Sequence, residues 1–286
     1  MIPVGDAHTH ANPVRGMGAR MAARRFKRSG GWFAALLNLT SWSYGLTPSS
    51  LDSYRRMYEI HLAECKAARE EGLRVSCFAG IHPAEVDRMI DKGGLKPEEA
   101  LELGLKVVGL LEEMCREGVV DGVGEVGRQH YKTSPLRVAI AMAIAEEAAR
   151  VAADHGCLLQ LHLENEGPAT VDTTARLLER AGLTGPKAKL VIFHHATLKT
   201  ARRAVEKGYN ATIPGVPRLL DHAARTEPPD YMVESDYIDD PARPGVVVEP
   251  WRMAEKLQRL AEEGLEEWAY RVSVDLIART FHTPPP

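Results

Sequence analysis

The sequence predicts an α/β chain folded as one (β/α)8 barrel over residues 1–286. Three observations carry that reading. Eight apolar runs of strand length alternate with longer segments of helical period, which implies parallel pairing through right-handed crossovers. Runs such as Lys189-Leu-Val-Ile-Phe are apolar at every position after the first, as expected of strands buried on both faces. Ionisable residues recur at the C-terminal ends of the runs, where a closed barrel of this kind builds its active site. The 286 residues suit a unit that typically takes about 250. On pattern alone an open, doubly wound sheet is the alternative.

The strands are predicted at 4–8, 33–39, 74–80, 121–125, 157–162, 189–194, 209–213 and 231–235. Ser50 can cap a helix over 51–71 that Gly72 ends. Pro97 opens a second helix that runs to Glu117, with Gly118 after it. Ser134 and Pro135 begin a third, with apolar positions at Val138, Ile140, Ala141, Ile144, Ala148 and Val151, that stops at Gly156. Two more are predicted at 170–181 and 198–207. The alternation does not absorb segments 11–31 and 237–250, and the Pro-rich tail 283–286 reads as a loose terminus.

Composition narrows the function classes. A net charge of −3 gives no overall field toward nucleic acid or an acidic membrane. The first residues, MIPVGDAHTH, lack the basic start and apolar run of a secretory signal, and no stretch has the length of a membrane span. With Cys65, Cys77, Cys115 and Cys157 scattered and no CxxC spacing, the expectation is four buried free thiols in a cytoplasmic protein. Asn38 and Asn210 match the glycosylation pattern but fall in predicted strands. Arginine outnumbers lysine 25 to 11, with four Asn and three Gln, a balance that fits a thermophile.

The chemistry lies at the strand ends. His8 and His10, in Asp6-Ala-His-Thr-His, stand at i and i+2 of the first strand, so both rings project to one face and can reach one ion. Glu125, His162, the pair His194–His195 and Asp236 end the fourth, fifth, sixth and eighth strands, and His82 follows the third. Each has a bland alternative: Glu125 could pair with Arg128, and Asp236 could cap a turn. Six strands delivering such groups to one rim argue for a metal site. His61, His155 and His222 fall in predicted helices, where packing or surface roles are expected. Segment 15–28 carries six basic residues, and no acid lies between Asp6 and Asp52. It could steer an anionic substrate or be a solvated helical face. Trp32, Trp42 and Tyr44 could wall the site or pack in the core.

The motifs DAHTH, Gly80-Ile-His-Pro, Gly124-Glu-Val-Gly, the strands carrying His162 and His195, and Glu234-Ser-Asp run in order from residue 6 to 236. They resemble the TatD family of metal-dependent hydrolases, on a TIM barrel of the amidohydrolase superfamily. Asp236-Tyr-Ile-Asp-Asp-Pro-Ala-Arg-Pro is similar to its archaeal branch. The resemblance implies one metal on His8, His10, Glu125 and Asp236, and a second on Glu125, His162 and His195, with Glu125 bridging. The spacing to Gly208 favours His195 over His194 as ligand. His82 would face the substrate phosphate or the nucleophilic water, and Asp236 would be the general base. The cofactor would be one or two divalent ions: Zn, Mn, Mg, Ni or Fe.

The implied activity is phosphodiester cleavage, with DNA or RNA ends as partners. One departure matters. Where the family places a phosphate-contacting Arg, two residues after His162, this chain has Glu164. An amide, ester or lactone hydrolase is therefore the second reading, and a non-catalytic metal-binding protein the third.

Overall fold

The computed structural model describes residues 1–243 and 247–286. Eight parallel strands follow one another in chain order. They are β1 (Val4–His10), β2 (Gly31–Leu37), β3 (Arg74–Ala79), β4 (Gly122–Gly127), β5 (Leu158–His162), β6 (Val191–Phe193), β7 (Asn210–Pro214) and β8 (Met232–Glu234). The end of β8 returns to β1: the Asp236 N–H donates to the His8 carbonyl at 2.9 Å, and the His10 N–H to the Tyr237 carbonyl at 2.9 Å. Asp6 Oδ1 seals the same seam by accepting the Ser235 N–H at 2.8 Å. The barrel is a single domain, and the open-sheet alternative falls.

Helices cover the outside: α1 (Gly18–Arg28), α2 (Leu51–Glu70), α3 (Ala84–Asp91), α4 (Pro97–Arg116), α5 (Pro135–His155), α6 (Pro168–Arg180), α7 (Leu198–Glu206) and α8 (Pro217–Thr226). The predicted caps are present. Ser50 Oγ accepts the Ser53 N–H and Ser134 Oγ accepts that of Arg137, while Gly156 closes α5 in the left-handed region at φ 73°. Strand β6 is shorter than predicted, because Gly185–Leu190 winds into a 3-10 turn before it.

After β8 the chain forms α9 (Pro250–Leu260), α10 (Glu266–Tyr270) and α11 (Leu276–Thr280). This region plugs the barrel at the starts of the strands. Ala7, Phe33, Phe78, Ile192 and Met232 pack there with Ile277 and Phe281. The Phe281 ring lies 4.8 Å from Phe33, and Trp32 Nε1 donates to the Ser273 carbonyl at 3.1 Å. That end is therefore sealed, and only the C-terminal rim is open to ligands. Beyond the plug, Pro284–Pro286 are exposed, with Arg74 donating to the Pro284 carbonyl.

One sequence expectation needs correction, and one open alternative is decided. The cysteines are buried but not free: Cys65 is bonded to Cys77 and Cys115 to Cys157. Each bond ties a helix to a neighbouring strand or its lead-in, with Cα separations of 6.0 and 6.3 Å, a proximity that linear spacing does not report. The basic segment is helix α1, laid against α2 rather than over the rim. Arg20 pairs with Glu70 and Glu71, and Arg24 grips Glu71 through Nε and Nη2 at 2.6 and 2.9 Å. Arg25 lies 3.9 Å over the Trp251 ring. The helical-face reading holds. No helix among the described residues is long and apolar enough to cross a membrane.

Candidate metal centre

Strand β1 presents His8 and His10 as its alternation requires, and neighbouring groups fix both rings. Gln160 on β5 donates through Nε2 to the Ala7 carbonyl, so its Oε1 accepts from His8 Nδ1 at 2.6 Å. His10 Nδ1 donates to the Leu37 carbonyl at 3.1 Å. Both Nε2 atoms are thereby turned inward, the arrangement that holds metal-binding histidines in register.

Glu125 enters because two glycines allow it. A Cβ on Gly80 would lie 2.2 Å from the Gly124 carbonyl carbon, so only glycine lets β3 and β4 approach there. Gly127, at φ 149°, sits where a Cβ would meet the His162 carbonyl at 2.0 Å. The Gly80-Ile-His-Pro and Gly-Glu-Val-Gly motifs are thus partly steric. Asn38 bridges the Gly80 N–H and carbonyl, steadying the turn that carries His82.

The donor atoms form two cages that share Glu125. His8 Nε2 is 3.1 Å from His10 Nε2 and 3.5 Å from Glu125 Oε1; His10 Nε2 is 3.2 Å from that oxygen. Asp236 Oδ1 completes the set at 3.9 and 3.7 Å from the two imidazoles. A tetrahedron with bonds of about 2.1 Å has edges of about 3.4 Å, so these four atoms fit a cation of zinc size. Glu125 Oε2 faces the other way. It lies 2.6 Å from His162 Nδ1 and 3.1 Å from His194 Nε2, and those nitrogens are 3.1 Å apart.

His194 and His195 do not point to opposite faces as strand neighbours would. Strand β6 ends at Phe193, and His195 takes a left-handed φ of 42°, which leaves the two ring centroids 4.1 Å apart. His194 is buried, stacked on His8 at 4.0 Å and in reach of Glu125. His195 lies further out, its Nδ1 3.1 Å from Asn165 Nδ2. Asp236 also turns left-handed, at φ 49°. Such residues cost of order 1 kcal/mol or more and concentrate at functional sites.

The electrostatics of the ring of donors are self-consistent. Burial alone would raise the Glu125 carboxyl, but the charge of His194 and bonds from His10, His162 and His194 hold it well below the usual range. Asp236 is lowered in the same way, against its own burial, by His10, His8 and His194. Burial opposes protonation of His10 and His194. Asp236 and Glu125 around His10, and Glu125 and Glu234 around His194, nevertheless push each to about 10. Desolvation holds His162, His82 and His195 at about 3. Protons on His10 and His194 thus balance the two carboxylates.

The rim opens into a cavity of about 580 Å³ walled by Asn38, Trp42, His82, His130, Tyr131 and Arg243, with the donors at its base. His82 accepts the Ala84 N–H at Nδ1, so its Nε2 carries the proton and faces Glu125 Oε2 at 3.7 Å. Trp42 walls the site, whereas Trp32 and Tyr44 are buried in packing roles. Of the helical histidines, His61 is buried on α2, His155 pairs with Glu112 at 3.0 Å and His222 is exposed. Glu164 does not confront the cavity as a bare charge; Arg128 holds it through Nε and Nη2, and Thr170 donates to it at 3.2 Å.

Sequence reasoning missed Gln160, Glu234, His130, Asn165 and Arg243. Gln160 was findable, being a polar residue two positions before His162 on a strand apolar on both sides. Glu234 accepts the His195 N–H at 2.6 Å and lay inside a quoted motif. The other three sit in loops, where no periodicity marks direction.

Comparison with known proteins agrees with this architecture. The family model for TatD related DNase matches residues 5–282. An uncharacterized protein of Methanocaldococcus jannaschii is 27% identical over 98% of this chain and 96% of its own length. The crystal structure of YjjV, a TatD homologue from Escherichia coli K12, superposes with a TM-score of 0.66 at 17% identity, covering 98% of both chains. The phosphotriesterase homology protein of Escherichia coli, solved with phosphate in its active site, gives 0.63 at 12% identity over 98% of each. With eight strands, a sealed base and a family match over nearly its whole length, this chain belongs to the TatD-related family of metal-dependent hydrolases.

Proposed function

We propose that the protein is a phosphodiesterase that binds two divalent cations and acts on nucleic-acid ends. The observation that carries the reading is Glu125, whose two oxygens serve two separate donor cages at one open rim. His8, His10, Glu125 Oε1 and Asp236 would hold one cation; Glu125 Oε2, His162 and His194 would hold the other. His194 replaces the anticipated His195 here, because its Nε2 rather than that of its neighbour reaches Glu125. Imidazole and carboxylate donors suit zinc, manganese, nickel or iron. Bound there, divalent cations polarise a phosphoryl oxygen and acidify a water molecule.

The chain supplies the rest. Asp236 lines the cavity beside its donor set and is held ionised, as a general base must be. The His82 Nε2–H is placed to donate to a phosphoryl oxygen. The relative solved with phosphate in its active site supports the substrate class. With Glu164 neutralised by Arg128, the main argument for an ester or lactone hydrolase loses its ground.

The test is turnover of bis-p-nitrophenyl phosphate by metal-loaded protein. Wild type turns over, and Asp236→Asn with its metal retained falls by about 10²–10⁴-fold, the range for a lost general base. Near wild-type turnover in that variant removes Asp236 as base. Absence of phosphodiester turnover in fully loaded wild type removes the reading.

A further inference from the structure

We infer that His130, His162 and His195 form an oxyanion cradle that grips a phosphate group, the role for which this chain has no arginine after His162. The inference rests on the phosphodiesterase reading of the same cavity.

The three imidazoles come from the ends of β4, β5 and β6. Each brings one ring nitrogen to within 4.8 Å of the other two. A point between three atoms no more than 4.8 Å apart lies within about 2.8 Å of each, inside the reach of an N–H···O hydrogen bond. Two of the nitrogens have no partner: Nε2 of His162 and Nε2 of His195 are buried and bond to nothing among the described residues. Buried polar groups are ordinarily satisfied, so two orphans on histidines that line one cavity mark a place for a ligand.

The sign of that ligand follows from Asn165. Its Oδ1 accepts the Thr197 N–H at 3.1 Å, which fixes the amide with its NH2 toward His195. That NH2 donates to His195 Nδ1 at 3.1 Å and to the His195 carbonyl at 3.0 Å. Nδ1 therefore accepts, and Nε2 must carry the hydrogen. On His162, Nδ1 is the nitrogen directed to Glu125; with a cation on that nitrogen, the ring proton also moves to Nε2. The unpaired groups are thus N–H donors, not lone pairs, and donors recruit an anionic oxygen rather than a third cation. His130 is exposed and adds an adjustable donor from the open side.

Imidazole donors make this cradle weaker than a guanidinium and insensitive to the carboxylate of Glu164, which Arg128 already occupies. It is built for a singly charged phosphodiester oxygen and for the phosphate left after cleavage.

The experiment is titration of the zinc-loaded protein with inorganic phosphate by calorimetry, with zinc content measured on every sample. Relative to wild type, His130→Ala and His195→Ala should each weaken phosphate binding about tenfold while zinc content stays constant, the loss of one hydrogen bond of about 1.4 kcal/mol. Asn165→Leu, which frees the His195 tautomer, should give a smaller loss. Unchanged phosphate affinity in both histidine variants overturns the cradle. A fall in zinc content in either variant also overturns it, assigning the ring to a cation. The two proposals remain separable: phosphodiester turnover with no effect of these variants on phosphate affinity sinks only the cradle. Phosphate held by these histidines without phosphodiester turnover sinks only the proposed activity.

Discussion

At the scale of single residues, the centre depends on groups that touch no ligand themselves. Gln160 is the sharpest case, because it fixes the His8 tautomer from a strand on the far side of the cavity. Gln160→Leu keeps the volume and removes the acceptor for Nδ1. It should lower zinc affinity by about 10–100-fold while the far-ultraviolet circular dichroism stays native. Affinity within a factor of two of wild type contradicts the assigned role. His8, His10, Glu125, His162 and Asp236 stood out in the sequence as candidates because each lies in or just after a run that reads as a strand; Asp236, two residues past β8 at φ 49°, owes its direction to a turn and not to the strand period. His194 entered only as the less favoured of the pair His194–His195, since its direction depends on the left-handed turn at His195, and no residue type announces a positive φ at a histidine.

At the scale of elements, strands and long helices were readable because buried parallel strands give continuous apolar runs and helix ends carry their own caps. Ser50, Ser134 and Gly156 do what their types predict. Helix α1 was harder. Its basic face could be a steering surface or a solvated helical face until its partner α2 was in place, with Glu70 and Glu71 beneath it. Charge reversal at Arg24 and Arg25 should therefore leave KM for an anionic substrate, and its salt dependence, unchanged. The variant should show a modestly lower Tm, through lost pairing with Glu71 and lost contact of Arg25 with Trp251. A salt-dependent rise in KM would restore the steering role.

At the scale of the molecule, a plug at one end and two disulfides decide which face works and how firmly it is held. The pairing of Cys65 with Cys77 and of Cys115 with Cys157 was invisible in linear spacing, because it joins residues that only the folded barrel brings together. The buried disulfides accompany a chain poor in Asn and Gln. The bonds span 12 and 42 residues, so chain entropy alone assigns them about 3 and about 4 kcal/mol. Cys65→Ala/Cys77→Ala and Cys115→Ala/Cys157→Ala, unfolded in guanidinium, should show losses in that order. Equal stability with and without each bond would contradict the entropic account.

In the proposed centre one rim holds two cations in place of protons on His10 and His194. The most direct test is titration of metal-free protein with zinc at pH 8, counting bound metal and released protons together. Both histidines are raised to about 10 in the metal-free site, so both are charged at pH 8 and must give up their protons to bind. The same sign makes the stability they lend to the metal-free protein full below about pH 6.5 and lost as pH rises through about 10. The account predicts about two zinc ions and about two protons per chain, with His194→Ala reduced to one zinc and His195→Ala still binding two. One zinc in wild type, or two bound without proton release, would contradict it.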